Sequence, residues 1–130
     1  MIAILTPWLL VGAGGAVGAM LRHGVNQLCL HLLGAGFPWG TMLVNITGSL
    51  IMGLLVGAFA LWGETAQELR LFLTVGLLGG FTTFSAFSLD AVLLFEKGEM
   101  IEACFYVLGS VVLSLAALCA GLMLIRMLPL

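Results

Sequence analysis

The feature that most constrains this chain is the length of its runs without charged side chains. Asp, Glu, Lys and Arg are absent from residues 1–21, 23–63, 71–89 and 103–125. A helix needs roughly 20 apolar residues to cross the hydrocarbon core of a bilayer. The run 23–63 is too long for one crossing, and it contains GAGFPWG (34–40), whose glycines and proline end helices. The pattern therefore predicts four crossings.

We place the four spans at about residues 4–32, 39–62, 68–95 and 99–127, within a single transmembrane domain covering residues 1–130. Composition supports this, because 62% of the residues are hydrophobic and only 8% are charged, whereas a soluble domain carries about 25% charged residues. The first span lacks the basic segment that opens a signal peptide, so we expect it to be retained. The predicted fold class is an all-α integral membrane protein.

Several function classes are disfavoured by the same composition. The net charge of −2 provides no basic patch for nucleic acid. His23 and His31 have no matching nucleophile or acid, which argues against an enzyme. The three cysteines lack the spacing of a metal site or disulfide framework and are expected to behave as small apolar residues: Cys29, Cys104 and Cys119.

The basic residues do not favour one membrane orientation. With four spans, Arg70 and Arg126 lie on one side, and Arg22 and Lys97 lie on the other. Lys and Arg retained on the cytoplasmic side normally set topology, so an even division allows insertion both ways. Two copies inserted in opposite orientations would form an antiparallel homodimer. The alternative is that one orientation dominates weakly through the free amino terminus.

Small residues recur at four-residue spacing on the first two spans. They are Gly14 and Gly18 on the first span, and Ser49, Gly53 and Gly57 on the second. Small residues at this spacing let helix backbones approach closely. Ordinary helix packing is the preferred interpretation of these glycines.

Polar residues form two stripes at the same spacing. The fourth span carries Tyr106, Ser110 and Ser114, and the second carries Thr41, Asn45 and Ser49. Each stripe is roughly 12 Å long at 1.5 Å per residue. A single serine in a membrane helix is expected to bond to its own helix. Two aligned stripes in so short a chain instead favour a polar path.

The segment GLLGGFTTFSAFSLD (76–90) places three glycines, two threonines and two serines within 13 residues of the third span. The glycines of residues 76–80 predict a helix break, and unwound carbonyls at such a break can coordinate a cation. Phe84 and Phe87 share a face if the helix resumes. Their positive ring edges, with hydroxyl protons and an amide, suit an anion. The alternative is that the phenylalanines, including Phe81, face lipid.

Three segments resemble the signatures of the Fluc, or CrcB, fluoride channels: GGAVGAMLRHG (14–24), GTMLVNITGSLIMG (40–53) and GLLGGFTTFSAFSLD (76–90). The resemblance implies a multi-pass protein of the bacterial inner membrane that exports fluoride passively. It implies an antiparallel, dual-topology homodimer with two pores. It also implies a central structural Na⁺ held by the backbone carbonyls of Gly79 and Thr82, at a mid-membrane break in the third span.

The same resemblance assigns the pore. Its fluoride-binding residues would be Asn45, Phe84 and Phe87, with Thr83 as a supporting hydroxyl and Tyr106, Ser110 and Ser114 as the polar track. Arg22 would lie at a vestibule. Three positions depart from the family pattern: Ala86 replaces the usual Thr, Asp90 replaces Glu, and His23 stands where an aromatic residue is common.

Two further hypotheses remain at this stage. A small dual-topology, proton-coupled multidrug exporter would also have four short spans, but it needs a carboxylate at mid-membrane. Asp90 lies toward the end of the third span, and the other acids sit at span edges: Glu64, Glu68, Glu96, Glu99 and Glu102. A purely structural membrane subunit would explain the glycines but not the polar stripes.

Overall fold

The computed structural model describes residues 1–63 and 67–129, and over these residues the chain is helical without strands. Glu64, named above among the span-edge acids, lies outside the described residues. The helices are α1 Ile2–Leu33, α2 Trp39–Leu61, α3 Gln67–Arg70, α4 Gly79–Phe81, α5 Phe84–Glu96 and α6 Met100–Arg126, with a π-helical segment Leu71–Leu78 joining α3 to α4.

Among the described residues, four helical stretches are long and apolar enough to cross a membrane: Ile2–Leu33, Trp39–Leu61, Gln67–Glu96 and Met100–Arg126. Large apolar side chains cover their outer surfaces, as expected for helices that face lipid; Ile101 of α6, for example, is 83% exposed. The prediction of an all-α protein with four membrane-capable helices is confirmed. The third stretch, Gln67–Glu96, consists of α3, the π-helical segment, α4 and α5.

Glycines hold the helices together at close range. A Cβ on Gly14 would lie 2.6 Å from the Phe72 carbonyl oxygen, and one on Gly18 would overlap the carbonyl of Leu77. On the other side of the bundle, a Cβ on Gly121 of α6 would lie 2.5 Å from the Leu50 carbonyl oxygen of α2. Backbones can approach this closely only where side chains are absent. The packing interpretation of the glycines on α1 and α2 is confirmed.

The helix break in the third stretch lies after residues 76–80, where the glycines had predicted it. Residues 76–80 remain helical, and the chain becomes extended at Thr82 (φ −85°, ψ 158°) and Thr83 (φ −154°, ψ 122°). Gly76 and Gly80 contact the backbone of α1, where a Cβ on Gly76 would lie 3.1 Å from the Gly14 Cα. These glycines therefore allow close packing, and they do not end the helix.

Arg70 joins the end of α2 to the start of the third stretch. One guanidinium nitrogen, Nη2, donates to the carbonyl oxygens of Phe59 and Gly63, both at 3.1 Å. The guanidinium carbon also lies 5.2 Å from the centre of the Phe59 ring. These contacts satisfy carbonyls at the C-terminal end of α2, where a helix leaves them without intrahelical partners. Arg70 therefore has a structural role in addition to its contribution to the charge balance.

A cluster of buried hydrophobic residues lies where α2, α5 and α6 meet. It contains Met42, Phe87, Leu94, Ala103 and Tyr106, and Tyr106 is fully buried. Phe37, from the connection between α1 and α2, packs against this cluster. The core holds the first turns of α5 next to α2 and α6, and it thereby positions the candidate site.

Candidate functional site

At the helix break, a side chain from another helix hydrogen-bonds to the backbone of Thr83. The Asn45 Nδ2 of α2 donates to the Thr83 carbonyl oxygen at 2.9 Å, and the Thr83 N–H donates to Asn45 Oδ1 at 2.7 Å. In an uninterrupted α-helix the Thr83 N–H would donate to the carbonyl of Gly79. The Asn45 amide replaces that helical partner, so it stabilises the extended conformation of the break.

Thr83 also starts the next helix. Its Oγ1 accepts from the Ala86 N–H at 3.2 Å and lies 3.4 Å from the Ser85 hydroxyl. This is an N-cap, in which a side-chain oxygen satisfies one of the free N–H groups of the first helical turn. The Thr83 hydroxyl proton can be donated to the Ser85 hydroxyl or to a group in the groove. Ala86 contributes its backbone N–H, so the cap does not depend on the threonine usual in the family.

A groove of about 400 Å³ opens beside the break. We call it the polar groove after the amide and hydroxyl groups that lie in its largely apolar wall. It is lined by Asn45, Gly48, Ser49, Met52, Thr82, Thr83, Phe84, Phe87, Ser110, Val111, Ser114, Leu115 and Leu118. Two residues of each polar stripe thus line the same groove as the segment after the break, whereas Thr41 and Tyr106 do not line it. Within the part of the chain that the structure describes, no charged side chain lines this groove.

The two phenylalanines differ sharply in burial. Their ring centroids are 5.5 Å apart, which confirms that Phe84 and Phe87 share a face. Phe87 is 9% exposed and forms part of the groove wall, whereas Phe84 is 77% exposed and projects from the chain. An exposed aromatic ring beside a polar groove leaves one side of the site open in the single chain.

The serines of α6 line the groove beside the phenylalanines. Ser110 is 3% exposed, and its Oγ makes no hydrogen bond to the described part of the chain, while Ser114 is half-buried. A buried hydroxyl is normally hydrogen-bonded, so an unpaired one is a site where a ligand or water can bind. Ser110 therefore places an available donor at the wall of the groove.

Tyr106 lies behind the groove wall. Its ring contacts Phe87 at a centroid distance of 5.3 Å, and its hydroxyl donates to Asp90 Oδ2 at 3.1 Å. Six of the seven predicted pore residues line the groove: Asn45, Thr83, Phe84, Phe87, Ser110 and Ser114. The seventh, Tyr106, contacts the groove only through Phe87. Arg22 is half-buried on α1 and does not line the groove.

The two residues predicted to hold a cation lie at the break. The carbonyl of Gly79 loses its helical donor because the Thr83 N–H binds Asn45. The carbonyl of Thr82 loses its donor because the Ala86 N–H binds the Thr83 hydroxyl. Both backbone oxygens are thereby released from the helical pattern, as a carbonyl-based site requires. Among the described residues there is no cluster of three or more His, Cys, Asp and Glu side chains that could bind a metal ion.

Sequence reasoning did not foresee the contacts that three residues make around the site. Gly48 of α2 admits the Thr82 side chain, which a Cβ at that position would overlap. Asp90 accepts the Tyr106 hydroxyl, and Phe37 packs edge-on against the Tyr106 ring at 5.5 Å. A signal was present for Asp90, since it ends a long charge-free run. Another was present for Phe37, an aromatic residue between glycine and proline.

Comparison with known proteins identifies the family. The profile of the family described as CrcB-like protein, Camphor Resistance (CrcB), matches residues 9–122. The chain belongs to the CrcB family. The resemblance seen in the three sequence segments is thus confirmed. The matched stretch includes every residue that lines the polar groove.

The chain is also similar to proteins that are named fluoride-specific ion channels. A protein of Rhodopseudomonas palustris (strain BisB5), named fluoride-specific ion channel FluC, is 56% identical over 92% of this chain and 96% of its own length. Fluoride-specific ion channel FluC 2 of Nitrobacter hamburgensis is 53% identical over the same shares. The FluC protein of Sphingopyxis alaskensis is 56% identical over 92% of this chain and 94% of its own length.

Proposed function

We propose that this chain forms a fluoride-selective ion channel, and that the polar groove is part of its pore. The observation that carries the proposal is the lining of the groove, which combines hydrogen-bond donors with aromatic rings and contains no charged side chain among the described residues. The names of the relatives support fluoride as the ion. In this proposal the chain is a channel, and it is not an enzyme.

Fluoride is small and strongly hydrated, so a pore must replace its water with closely spaced donors. Asn45 uses one amide hydrogen for Thr83 and retains the second. The Thr83 and Ser110 hydroxyls have protons available, and Ser114 adds a third hydroxyl. The N-terminal end of α5 also opens into the groove, and its helix dipole favours an anion there.

The aromatic rings add selectivity in this proposal. Phe84 and Phe87 present positively polarised ring edges that attract an anion without forming a fixed ion pair. A fixed positive charge would bind anions of many sizes and slow their release. Donors and ring edges at short range favour fluoride, because the larger chloride ion cannot approach them as closely.

A second copy would complete the pore. The supporting observations are the open groove, the exposed ring of Phe84 and the even division of basic residues between the two sides. We propose an antiparallel homodimer in dual topology, with two pores, in which Phe84 of each copy meets the polar groove of the other. The break at residues 82–83 would then lie near mid-membrane.

The carbonyls of Gly79 and Thr82 would hold the central Na⁺ of this dimer. Their release from the helical pattern supports the assignment, and Na⁺ accepts neutral oxygen ligands. When bound, the ion would join the two copies and add positive potential near both pores without entering either.

Transport would be passive. A negative interior drives an anion outward with about 2.3 kcal/mol per charge per 100 mV. A bacterial inner-membrane channel of this kind would lower cytoplasmic fluoride. The competing hypothesis, a proton-coupled multidrug exporter, is not favoured, because the relatives are named channels and Asp90 is hydrogen-bonded to Tyr106.

The test is fluoride efflux from liposomes that contain the purified protein, measured with a fluoride electrode while valinomycin and K⁺ set the potential. We expect rapid fluoride efflux and little chloride efflux from matched vesicles. Efflux no faster than that from protein-free vesicles would overturn the proposal. The sodium site is tested by purification in Na⁺ or in N-methyl-D-glucamine, with loss of dimer in the second buffer as the expected result.

A further inference from the structure

Four aromatic rings form a continuous row from the α1–α2 connection to the polar groove. The ring centroids of Phe37 and Tyr106 are 5.5 Å apart, those of Tyr106 and Phe87 are 5.3 Å apart, and those of Phe87 and Phe84 are 5.5 Å apart. The first ring belongs to a connection outside the helices, and the last two line the groove.

Tyr106 is the middle of this row and has little freedom to move independently. It is fully buried, its hydroxyl is bound to Asp90 Oδ2, and Phe37 packs against it at 87° in a T-shaped arrangement. On its other side it contacts the ring of Phe87 at an interplanar angle of 36°. The position of the Tyr106 ring therefore depends on Phe37 and, in turn, limits the tilt of Phe87.

The tilt of Phe87 matters chemically because an aromatic ring is not uniform. Its edge carries positive and its face negative partial charge. If the Phe87 ring rotates, the groove wall presents a face that repels an anion instead of an edge that attracts one. A residue that fixes this tilt can therefore affect anion selectivity without touching the ion.

The connection that carries Phe37 is itself held in place. The Phe37 carbonyl accepts from the Trp39 N–H at 2.9 Å, and the two rings are 4.5 Å apart. Phe37 also contacts Phe105 of α6 at 5.8 Å. These contacts, and the Pro38 that follows, restrict Phe37 to the position where it meets Tyr106.

We infer that Phe37 is a positioning residue for the pore: through Tyr106, it holds the Phe87 ring in the orientation that the anion meets. The inference rests on the proposed fluoride conduction. It assigns a role in selectivity to the α1–α2 connection, which does not line the polar groove.

The experiment uses Phe37→Leu, with Phe95→Leu as the matched control because Phe95 is 60% exposed and makes no ring contact with Tyr106. Tyr106 is the only tyrosine in the chain, so 3-fluorotyrosine gives one ¹⁹F NMR signal that reports this ring alone. We expect Phe37→Leu to shift or broaden that signal. We also expect the ratio of fluoride to chloride efflux to fall threefold to tenfold, a factor typical of one aromatic pair.

Phe37→Trp restores an aromatic ring and should recover most of the selectivity, whereas Phe95→Leu should leave both readouts unchanged. A shifted ¹⁹F signal with unchanged selectivity would show that Phe37 only fills space, and would overturn the inference. An unchanged signal would do the same. If Phe37→Leu cannot be purified as a folded protein, Phe37→Met takes its place in the same assays. Absence of efflux from the wild type would instead contradict the proposed function, while the NMR signal would still test the contact.

Discussion

The side-chain amide of Asn45 and the peptide groups of Thr83 form a closed pair of hydrogen bonds, 2.9 Å from Nδ2 to the carbonyl oxygen and 2.7 Å from the N–H to Oδ1. One residue of α2 thereby satisfies both backbone groups of a residue that has left the helix. Backbone groups without partners are especially costly in lipid. The break is therefore a property of two helices, and its sequence determinant lies 38 residues away from it.

Replacement of Asn45 should affect both stability and conduction. Asn45→Ala leaves the Thr83 N–H and carbonyl unpaired, and each unsatisfied buried group costs about 1–3 kcal/mol. We expect a lower unfolding temperature in detergent and loss of fluoride efflux. Thr47→Val is the control, since the Thr47 hydroxyl bonds only to Leu43 of its own helix. Equal stability of the two variants would contradict the assigned role of the Asn45 amide.

Substitutions of Phe84 and Phe87 should both reduce fluoride efflux but should differ in their effect on the free energy of unfolding. Phe87→Ala removes a core ring and should reduce the free energy of unfolding by about 3–5 kcal/mol. Phe84→Ala changes a ring that is 77% exposed in the single chain and should reduce it much less. Both should reduce fluoride efflux. Thermal unfolding and liposome efflux, measured on the same preparations, test the contrast, and full efflux by Phe84→Ala would exclude this ring from the pore.

Removal of the Ser110 hydroxyl should impair transport with little effect on stability. Its buried Oγ makes no hydrogen bond to the described residues, so Ser110→Ala breaks no bond within the chain and removes only a hydroxyl that water or an ion can bind in the groove. We expect Ser110→Ala to unfold at nearly the wild-type temperature and to conduct fluoride more slowly. Ser88→Ala is the control, because Ser88 bonds to the Phe84 carbonyl at 2.9 Å. A Ser110→Ala variant with wild-type flux would remove Ser110 from the path.

Two glycines of α1 provide a matched test of close packing. A Cβ on Gly18 would overlap the Leu77 carbonyl, whereas a Cβ on Gly24 meets nothing within 4 Å. We expect Gly18→Ala to destabilise the chain by about 1–3 kcal/mol through overpacking. Gly24→Ala should stabilise it by up to about 1 kcal/mol through helix propensity. The unfolding temperatures of the two variants should therefore move in opposite directions from the wild type.

The Arg70 contacts predict a stability effect that is separate from the charge itself. Arg70→Gln removes hydrogen bonds to two carbonyls and the contact with the Phe59 ring, for which we expect a loss of about 1–3 kcal/mol. Arg126→Gln is the control, because it removes the same charge from the same predicted side of the membrane at an exposed position. If both variants unfold at the same temperature, the Arg70 contacts do not stabilise the fold.

The four membrane-capable helices could be predicted from the sequence, because charge-free runs long enough to cross a bilayer leave few alternatives. The resemblance to the fluoride channels also placed residues of α2, α5 and α6 in one pore, and six of these residues line one groove. Periodicity contributed less, because four-residue spacing places side chains on one face of a helix without saying which other helix that face meets. The assigned roles of these residues remain predictions.

The position of the helix break could not be predicted in the same way. The glycines of residues 76–80 could either end a membrane helix or allow another helix to pack closely against it. Only the presence of α1 beside Gly76 and Gly80 decides between them. The contacts of Tyr106 with Asp90 and Phe37 also depend on tertiary structure, since they join α6 to α5 and to the α1–α2 connection. Side chains that meet across helices leave no periodic pattern in any one of them.

The hydrogen bonds between the Asn45 amide and Thr83 also have a consequence for biogenesis. Asn45 leaves the ribosome 38 residues before Thr83, so the second span is already synthesised when the third enters the bilayer. A third span inserted alone would lack the Asn45 amide, and its Thr83 N–H could donate to the Gly79 carbonyl in an uninterrupted helix. The break should therefore form only when the third span packs beside the second. The span would then enter the bilayer as a continuous helix and acquire its extended residues during assembly.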